Sequence, residues 1–327
     1  MLYKLKKFLY LFIFSINFLA QSDDFFDCKS CYGNTSYIYS PGFFSTESSM
    51  TKYCPSFTSW TGEKFVSKNA VHILGQPHSV VIFPEIVLNQ NAKSIHDYNL
   101  DLSQSDLGQT KDTQCVYNTY QKHLDLYKNS NIIMHGHSRG AVSTFNFIAE
   151  YKPSNVKAAI LEGIFDDMQH CIKHFGYQNK NSFLENLLCG SLKLLIGSYS
   201  YQSLSAKDYA KKITDDIPLL FVTSLKDSIS PVNGVFNLYL ILKNRGFKKV
   251  HILILDNSCH SSYTTDNLPD KEKYEACVHA LYKHYNLTYN TDKAKLGKKT
   301  FEQSQPDIQE LINKYNLPLC NHCLFKK

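Results

Sequence analysis

Short apolar runs alternate with amphipathic stretches along most of this chain. TSYIYS, HSVVIF, NIIMH, VKAAILEG, IPLLFVTS and KKVHILILDN are rich in β-branched and aromatic residues and end at polar or turn-forming positions, which predicts strands. Between them the spacing changes to three or four. DTQCVYNTYQKHLDLY repeats Val116, Tyr120, Leu124 and Tyr127 on one face. SRGAVSTFNFIAEYKP would turn Ala141, Phe145, Ile148 and Ala149 inward and stop at Pro153. NGVFNLYLILKNRG reads as a helix closed by Gly246, and KEKYEACVHALYKHYN as the last long one. Strands and helices alternating at this interval predict an α/β fold, a mostly parallel central sheet with helices on both faces.

Two regions depart from the rhythm. Residues 167–213 contain helical patches such as SFLENLLCGSLKLLI and no strand, so a small helical cap over the strand ends is expected there. The extension 286–327 carries one amphipathic helix, DIQELINKY, with Ile308, Leu311, Ile312 and Tyr315 on its apolar side. No internal repeat and no low-complexity linker divides the chain, which predicts a single domain over 23–327.

The first 22 residues read as a secretory signal peptide. MLYKLKK is basic, and Phe8–Ala20 is an apolar run of thirteen residues, too short at 1.5 Å per residue to cross a bilayer core of ~30 Å. Ala20 and Ser22 form a small-residue cleavage pattern, with the cut expected after Ser22 or else after Ala20. The competing reading is an uncleaved anchor. Export predicts a secreted or periplasmic protein with no stable membrane span after cleavage. Loss of Lys4, Lys6 and Lys7 with the leader lowers the formal charge of +6 by three, and no basic run lies inside the domain, the tail lysines Lys298, Lys299, Lys326 and Lys327 reading as a solvated surface, which argues against a nucleic-acid partner.

An exported chain with ten cysteines is expected to form disulfides. Two C-x-x-C pairs, Cys28–Cys31 and Cys320–Cys323, lie near opposite ends. Together they also have the ligand count of a structural zinc site, in which His322 can replace one sulfur. Disulfides, zinc and unpaired thiols stay open at this point, and so does the connectivity. Nothing else in the chain calls for a metal or a cofactor.

The candidate chemistry sits where ligand sites gather in parallel sheets, after the carboxyl ends of the strands. NIIMH runs into G-H-S-R-G, with Ser138 between Gly136 and Gly140. The glycines permit a tight strand-to-helix turn that exposes the serine at a helix N-terminus. A serine hydroxyl needs a base, usually a histidine oriented by a carboxylate. IPLLFVTS ends in LKDSISP, which puts Asp227 just past one strand, and VHILILDN ends in SCHSSY, which puts His260 just past another. Asp166 and Asp167, after VKAAILEG, are rival acids; Asp256 lies too early to reach the His260 ring. His135 and His137 beside the serine are expected to pack or to support it. Arg139 is open to a substrate carboxylate or to an ion pair. Cys259 is expected to be a disulfide partner or a buried thiol, and Glu85 to line a pocket or end a strand.

IIMHGHSRGA, IPLLFVTSLKDSISP and ILILDNSCHSSY, in this order, resemble the α/β-hydrolase superfamily over about Thr35 to Tyr285. The segment DLGQTKD, Asp106 to Asp112, is similar to one found in some bacterial serine hydrolases of that fold. The resemblance implies a three-layer α/β-hydrolase fold with Ser138 as nucleophile, His260 as base and Asp227 as acid. It also implies an oxyanion hole made of the backbone N–H groups of Phe43 and Arg139. The family's usual His-Gly after the first strand is here Pro41-Gly42, which changes a side chain but keeps the backbone donor. The implied reaction is acyl transfer from a small-molecule ester, thioester or amide, without a cofactor. A serine peptidase of the same fold and a catalytically inactive binding protein are the alternatives.

Overall fold

The structure, a computed structural model, describes residues 35–40, 42, 72–74, 79–82, 106–126, 128, 131–178, 204–214, 216–260, 262–263, 268–287 and 289–315. The leader, both C-x-x-C pairs, Phe43, Glu85 and most of the expected cap lie outside these residues.

Seven strands form one sheet in the order β2-β3-β1-β4-β5-β6-β7. They are β1 (Thr35–Ser40), β2 (His72–Leu74), β3 (Ser79–Ile82), β4 (Asn131–His137), β5 (Val156–Glu162), β6 (Leu219–Ser224) and β7 (Val250–Leu255). All neighbours are parallel except β2, which pairs antiparallel with β3 at the edge. Six of these strands coincide with the apolar runs. The seventh, His72–Leu74, is three residues long, too short for periodicity to reveal; only its pairing with β3 makes it a strand.

The helices are α1 (Thr110–Leu126), α2 (Arg139–Tyr151), α3 (Met168–Gln178), α4 (Ala206–Tyr209), α5 (Val232–Asn244), α6 (Leu268–His284), α7 (Thr291–Glu302) and α8 (Ile308–Tyr315). Among the described residues the extension after residue 286 therefore holds two helices, where one was expected. TDKAKLGKKTFE lacks an apolar stripe: it buries only Ala294, Gly297 and Phe301, and Asn290 caps it by accepting a hydrogen bond from the Lys293 N–H at 3.1 Å. Ser304, just after α7, accepts from the Ile252 N–H at 2.7 Å and so covers the backbone of the edge strand β7.

Both faces of the sheet are covered, so the strands are apolar on both sides. Ile132, Met134, Leu161, Phe221 and Ile252 pack into one core with α2 and α5. Ile133, Ile160, Leu220, Val222 and Leu253 pack into the other with Tyr274, Val278 and Leu281 of α6. Ala141, Phe145, Ile148 and Ala149 are buried as expected, but α2 is buried on every side from Arg139 to Ala149. It is a central helix, and its few polar positions find partners inside the protein. Among the described residues no helix is long and apolar enough to cross a membrane.

The strand order sets the place of the site. From β1 the chain moves outward to β2 at the edge, steps back to β3 beside β1, then crosses to the other side of β1 as β4 and proceeds to β7. The order reverses between β1 and β4, and a crevice forms beyond their carboxyl ends. Gly42 follows β1 and Ser138 follows β4 at that point.

Candidate active site

The turn from β4 into α2 is as tight as G-H-S-R-G requires. A Cβ on Gly136 would lie 2.5 Å from the Ala141 Cα and 2.6 Å from the Gly140 carbonyl oxygen, so only glycine fits. Ser138 itself has φ 53° and ψ −120°, a conformation that costs a non-glycine residue on the order of 1–3 kcal/mol. Two kinds of backbone hydrogen bond hold it there. Its N–H donates to the Glu162 carbonyl at 2.8 Å, and its carbonyl accepts from the N–H groups of Ala141 and Val142 at 2.9 and 3.2 Å.

His260 Nε2 lies 3.0 Å from Ser138 Oγ, and His260 Nδ1 lies 2.8 Å from Asp227 Oδ2. Asp227 Oδ1 accepts from the N–H groups of Ile229 and Ser230 at 2.9 and 2.7 Å, while Oδ2 also accepts from the Tyr263 hydroxyl. Burial alone would raise the Asp227 carboxyl; the His260 ring and these donors more than offset it and hold it below its ordinary value. Burial, with Asp227 beside it, pushes the Tyr263 hydroxyl well above its own, so the phenol remains a donor. An ionised carboxylate only accepts, so His260 carries a proton on Nδ1 and presents Nε2 as an acceptor to the serine hydroxyl.

The rival acids have other partners. Asp166 Oδ1 meets His170 Nδ1 at 2.9 Å and its Oδ2 accepts from Asn237 Nδ2 at 2.9 Å, which ties α3 to α5. Asp167 pairs with Lys207 at 3.1 Å, and Asp256 is exposed beside Lys273 at 3.4 Å. Arg139 is buried, with Nε 3.6 Å from Asp112 Oδ2, so of its two expected roles the structure places it in an ion pair. Asp112 also accepts from the Gly108 N–H at 2.7 Å, and Asp106 from the N–H of Asp112 at 3.2 Å. The DLGQTKD segment thereby docks the start of α1 onto the start of α2. Gly42 approaches the serine closely: a Cβ on it would lie 2.9 Å from His137 Cδ2 and 3.4 Å from Ser138 Cβ. The Arg139 amide begins the first turn of α2, where helix N–H groups have no partner within the helix.

Several residues at the site escaped the sequence reading. Tyr263 is one. Asp270 is another; its carboxylate collects the N–H groups of Asp256, Asn257 and Ser258 and the Ser258 hydroxyl, which shapes the loop that carries His260. Glu162 ends β5 fully buried and meets both His135 Nε2 at 2.7 Å and His137 Nδ1 at 3.2 Å, while Tyr274 donates to it from α6. A charged residue closing an apolar strand was the available signal for Glu162. Tyr263 and Tyr274 had none, since a phenol has no spacing that marks its partner.

Three of the described cysteines, Cys171, Cys259 and Cys277, are free, against the expectation of disulfides from an even count. Cys171 and Cys277 are buried in cores on opposite faces of the sheet, which keeps them apart. Burial pushes the Cys277 thiol up to about 12, which leaves it unreactive. Cys259 is exposed, not buried.

A cavity of about 120 Å³ opens beside α2, between Leu107 and Val142 on one side and Phe165, Met168 and Leu204 on the other. A larger depression of about 570 Å³ lies at the opposite, amino ends of the strands, near Asn131, Val156 and Lys249, away from Ser138.

No family model and no curated protein matches this sequence. Solved structures do match. An acylaminoacyl peptidase of Pyrococcus horikoshii aligns with 78% of this chain at 16% identity and a TM-score of 0.52. An esterase of Pyrococcus furiosus aligns with 77% at 14% identity and a TM-score of 0.53, over 82% of its own length. A puromycin-hydrolyzing peptidase of Mycobacterium tuberculosis aligns with 76% at 13% identity and a TM-score of 0.51. The chain spans only 38% of the first of these and 34% of the third. At such identities the likeness speaks for the fold, and it agrees with the strand order, the parallel sheet and the serine at the β4–α2 turn. This chain has the α/β-hydrolase fold.

Proposed function

We propose that this protein is an exported serine hydrolase that cleaves an ester, thioester or amide bond through an acyl-enzyme on Ser138. The observation that carries the reading is the unbroken line from Ser138 Oγ to His260 Nε2 at 3.0 Å and from His260 Nδ1 to Asp227 at 2.8 Å. The serine stands in a strained turn that has no use in packing alone. His260 takes the Ser138 proton as Oγ attacks an acyl carbonyl, and Asp227 keeps the ring oriented and balances its charge. The amides of Arg139 and Phe43 receive the oxyanion, each worth roughly 3–4 kcal/mol of barrier. Water, with His260 as base, then releases the acyl group.

A fluorophosphonate probe tests this directly. Wild type should be labelled and Ser138→Ala should not; labelling that survives in the variant would sink the assignment. An unlabelled wild type with no activity on broad acyl substrates would favour the binding-protein reading. The structural neighbours are named both as peptidases and as an esterase, so short acyl esters and peptide amides belong side by side in the substrate screen. Export is tested by N-terminal sequencing of the protein recovered outside the cytoplasm, where a start at Asp23 is expected. Metal analysis of the same material decides between zinc and disulfides at the C-x-x-C pairs.

A further inference from the structure

A second buried carboxylate lies behind His137, whose ring packs against the candidate catalytic histidine. Glu162 is linked to the serine turn twice. Its carbonyl accepts from the Ser138 N–H at 2.8 Å, and its side chain reaches His137, the residue before the serine, at 3.2 Å. The His137 ring is tilted against that of His260, with centroids 5.2 Å apart, and its Cδ2 faces Gly42. The ring therefore fills the space between Glu162, His260 and the loop after β1.

The charge state of this group follows from its partners. Burial raises the Glu162 carboxyl, but the His135 ring beside it, foremost, and the hydrogen bond from His137 outweigh that and hold the group well below the ordinary carboxylate range. Burial likewise pushes His137 down, against the opposing pull of Glu162, so the ring is neutral. A carboxylate only accepts hydrogen bonds, so His137 donates from Nδ1. A buried ion of this kind costs more than an apolar residue of the same size, so packing alone is a poor reason for its presence.

We propose that Glu162, acting through the neutral His137 ring, is a positioning residue that favours the charged form of His260 as Ser138 gives up its proton. The inference rests on the serine-hydrolase reading. In the step concerned, the Oγ–C bond forms and the carbonyl π pair moves to oxygen. The hydroxyl proton passes to His260 Nε2. Glu162 takes no proton. It supplies a negative pole across the His137 ring, in addition to the one that Asp227 supplies at Nδ1. Among the described residues the other titratable groups around His260 are Cys259 and Tyr263 on its own loop; on α3, Cys171 and His174 lie within electrostatic reach of Asp227.

Two measurements test the proposal. In the ¹⁵N-labelled wild type, the imidazole spectrum should show His137 as the neutral Nδ1–H tautomer; an Nε2–H or charged ring would overturn it, whatever the variants do. The rate of fluorophosphonate labelling against pH is then compared for wild type, Glu162→Gln, His137→Asn and the double variant. Loss of one charge at this remove should lower the plateau about tenfold in Glu162→Gln. The acidic limb should move to lower pH, because the imidazole holds its proton less tightly once the charge is gone. Glu162→Gln should add little to His137→Asn. A folded Glu162→Gln with the wild-type plateau and limb overturns the proposal, as does an undiminished effect in the His137→Asn background. If Glu162→Gln does not fold, His137→Asn decides alone: a tenfold fall with a displaced limb supports the proposal, and an unchanged profile overturns it. A wild type that is not labelled sinks the hydrolase reading and this one together, whereas a labelled wild type with unmoved variants sinks only this one.

Discussion

At the scale of single residues, Asp227 was legible and Tyr263 was not, and the reason is the same for both. A position just past a strand end is a property of the sequence. A hydroxyl's partner is a property of the fold. Asp227→Asn should leave the fold intact and lower kcat by about 10⁴-fold, since the amide no longer holds the Nδ1–H form of His260. Tyr263→Phe removes one donor of several from Asp227. A hydrogen bond to a buried charge is worth on the order of 1.5–3 kcal/mol, so kcat should fall roughly tenfold or more with KM unchanged. An unchanged kcat would mean that the phenol only fills space. The free Cys171, Cys259 and Cys277 make a separate expectation: unfolding without reductant should expose at least three titratable thiols of the ten.

At the scale of elements, apolar spacing found the helices with a stripe and missed α7, whose lysine-rich sequence hides a contact made by one glycine. A Cβ on Gly297 would lie 1.9 Å from the Ala276 carbonyl oxygen, so α7 crosses α6 at backbone contact. Gly297→Ala must push the two helices apart and should cost about 1–3 kcal/mol or more, measured by urea unfolding. The cost should fall on stability and spare the labelling of Ser138, because α7 packs on α6 and, through Ser304 just after it, on the edge strand β7. α2 shows the converse. Its inward positions were read correctly, but its burial on all sides depends on α1 and α4, which a pattern within α2 alone does not report. A cap over 167–213 was expected; of that stretch the described part shows α3 and α4, anchored to the body by Asp166 and Asp167.

For the whole molecule, stability against pH reports the buried groups together. Burial pushes His123 and His279 down to about 4 and His251 down to about 3. Each is neutral in the fold and binds a proton more readily once unfolded, so each contributes stability above about pH 6.5 that is lost as pH falls toward those values. Asp106 acts in the opposite sense. Burial, with Asp112 beside it, raises it from 3.8 to about 6, so its contribution is present below 3.8 and is lost as pH rises through 6. Three imidazoles outweigh one carboxyl, and the melting temperature should fall between pH 7 and pH 5. Asp106→Asn should make that fall steeper, by about 1 kcal/mol of unfolding free energy between pH 7 and pH 5. A difference between variant and wild type that is flat with pH would show that Asp106 ionises normally. The sequence by itself determined the layered α/β plan, the strand ends and the order serine, aspartate, histidine, because apolar period and turn chemistry act over a few neighbouring residues. Only the tertiary structure decided that Asp227 rather than Asp166 faces His260, that Arg139 is spent on Asp112, and that Glu162 stands behind His137. Those choices join residues from different elements, 33 positions apart for Asp227 and His260 and 25 for Glu162 and His137, and which of them meet depends on how the sheet is ordered and twisted.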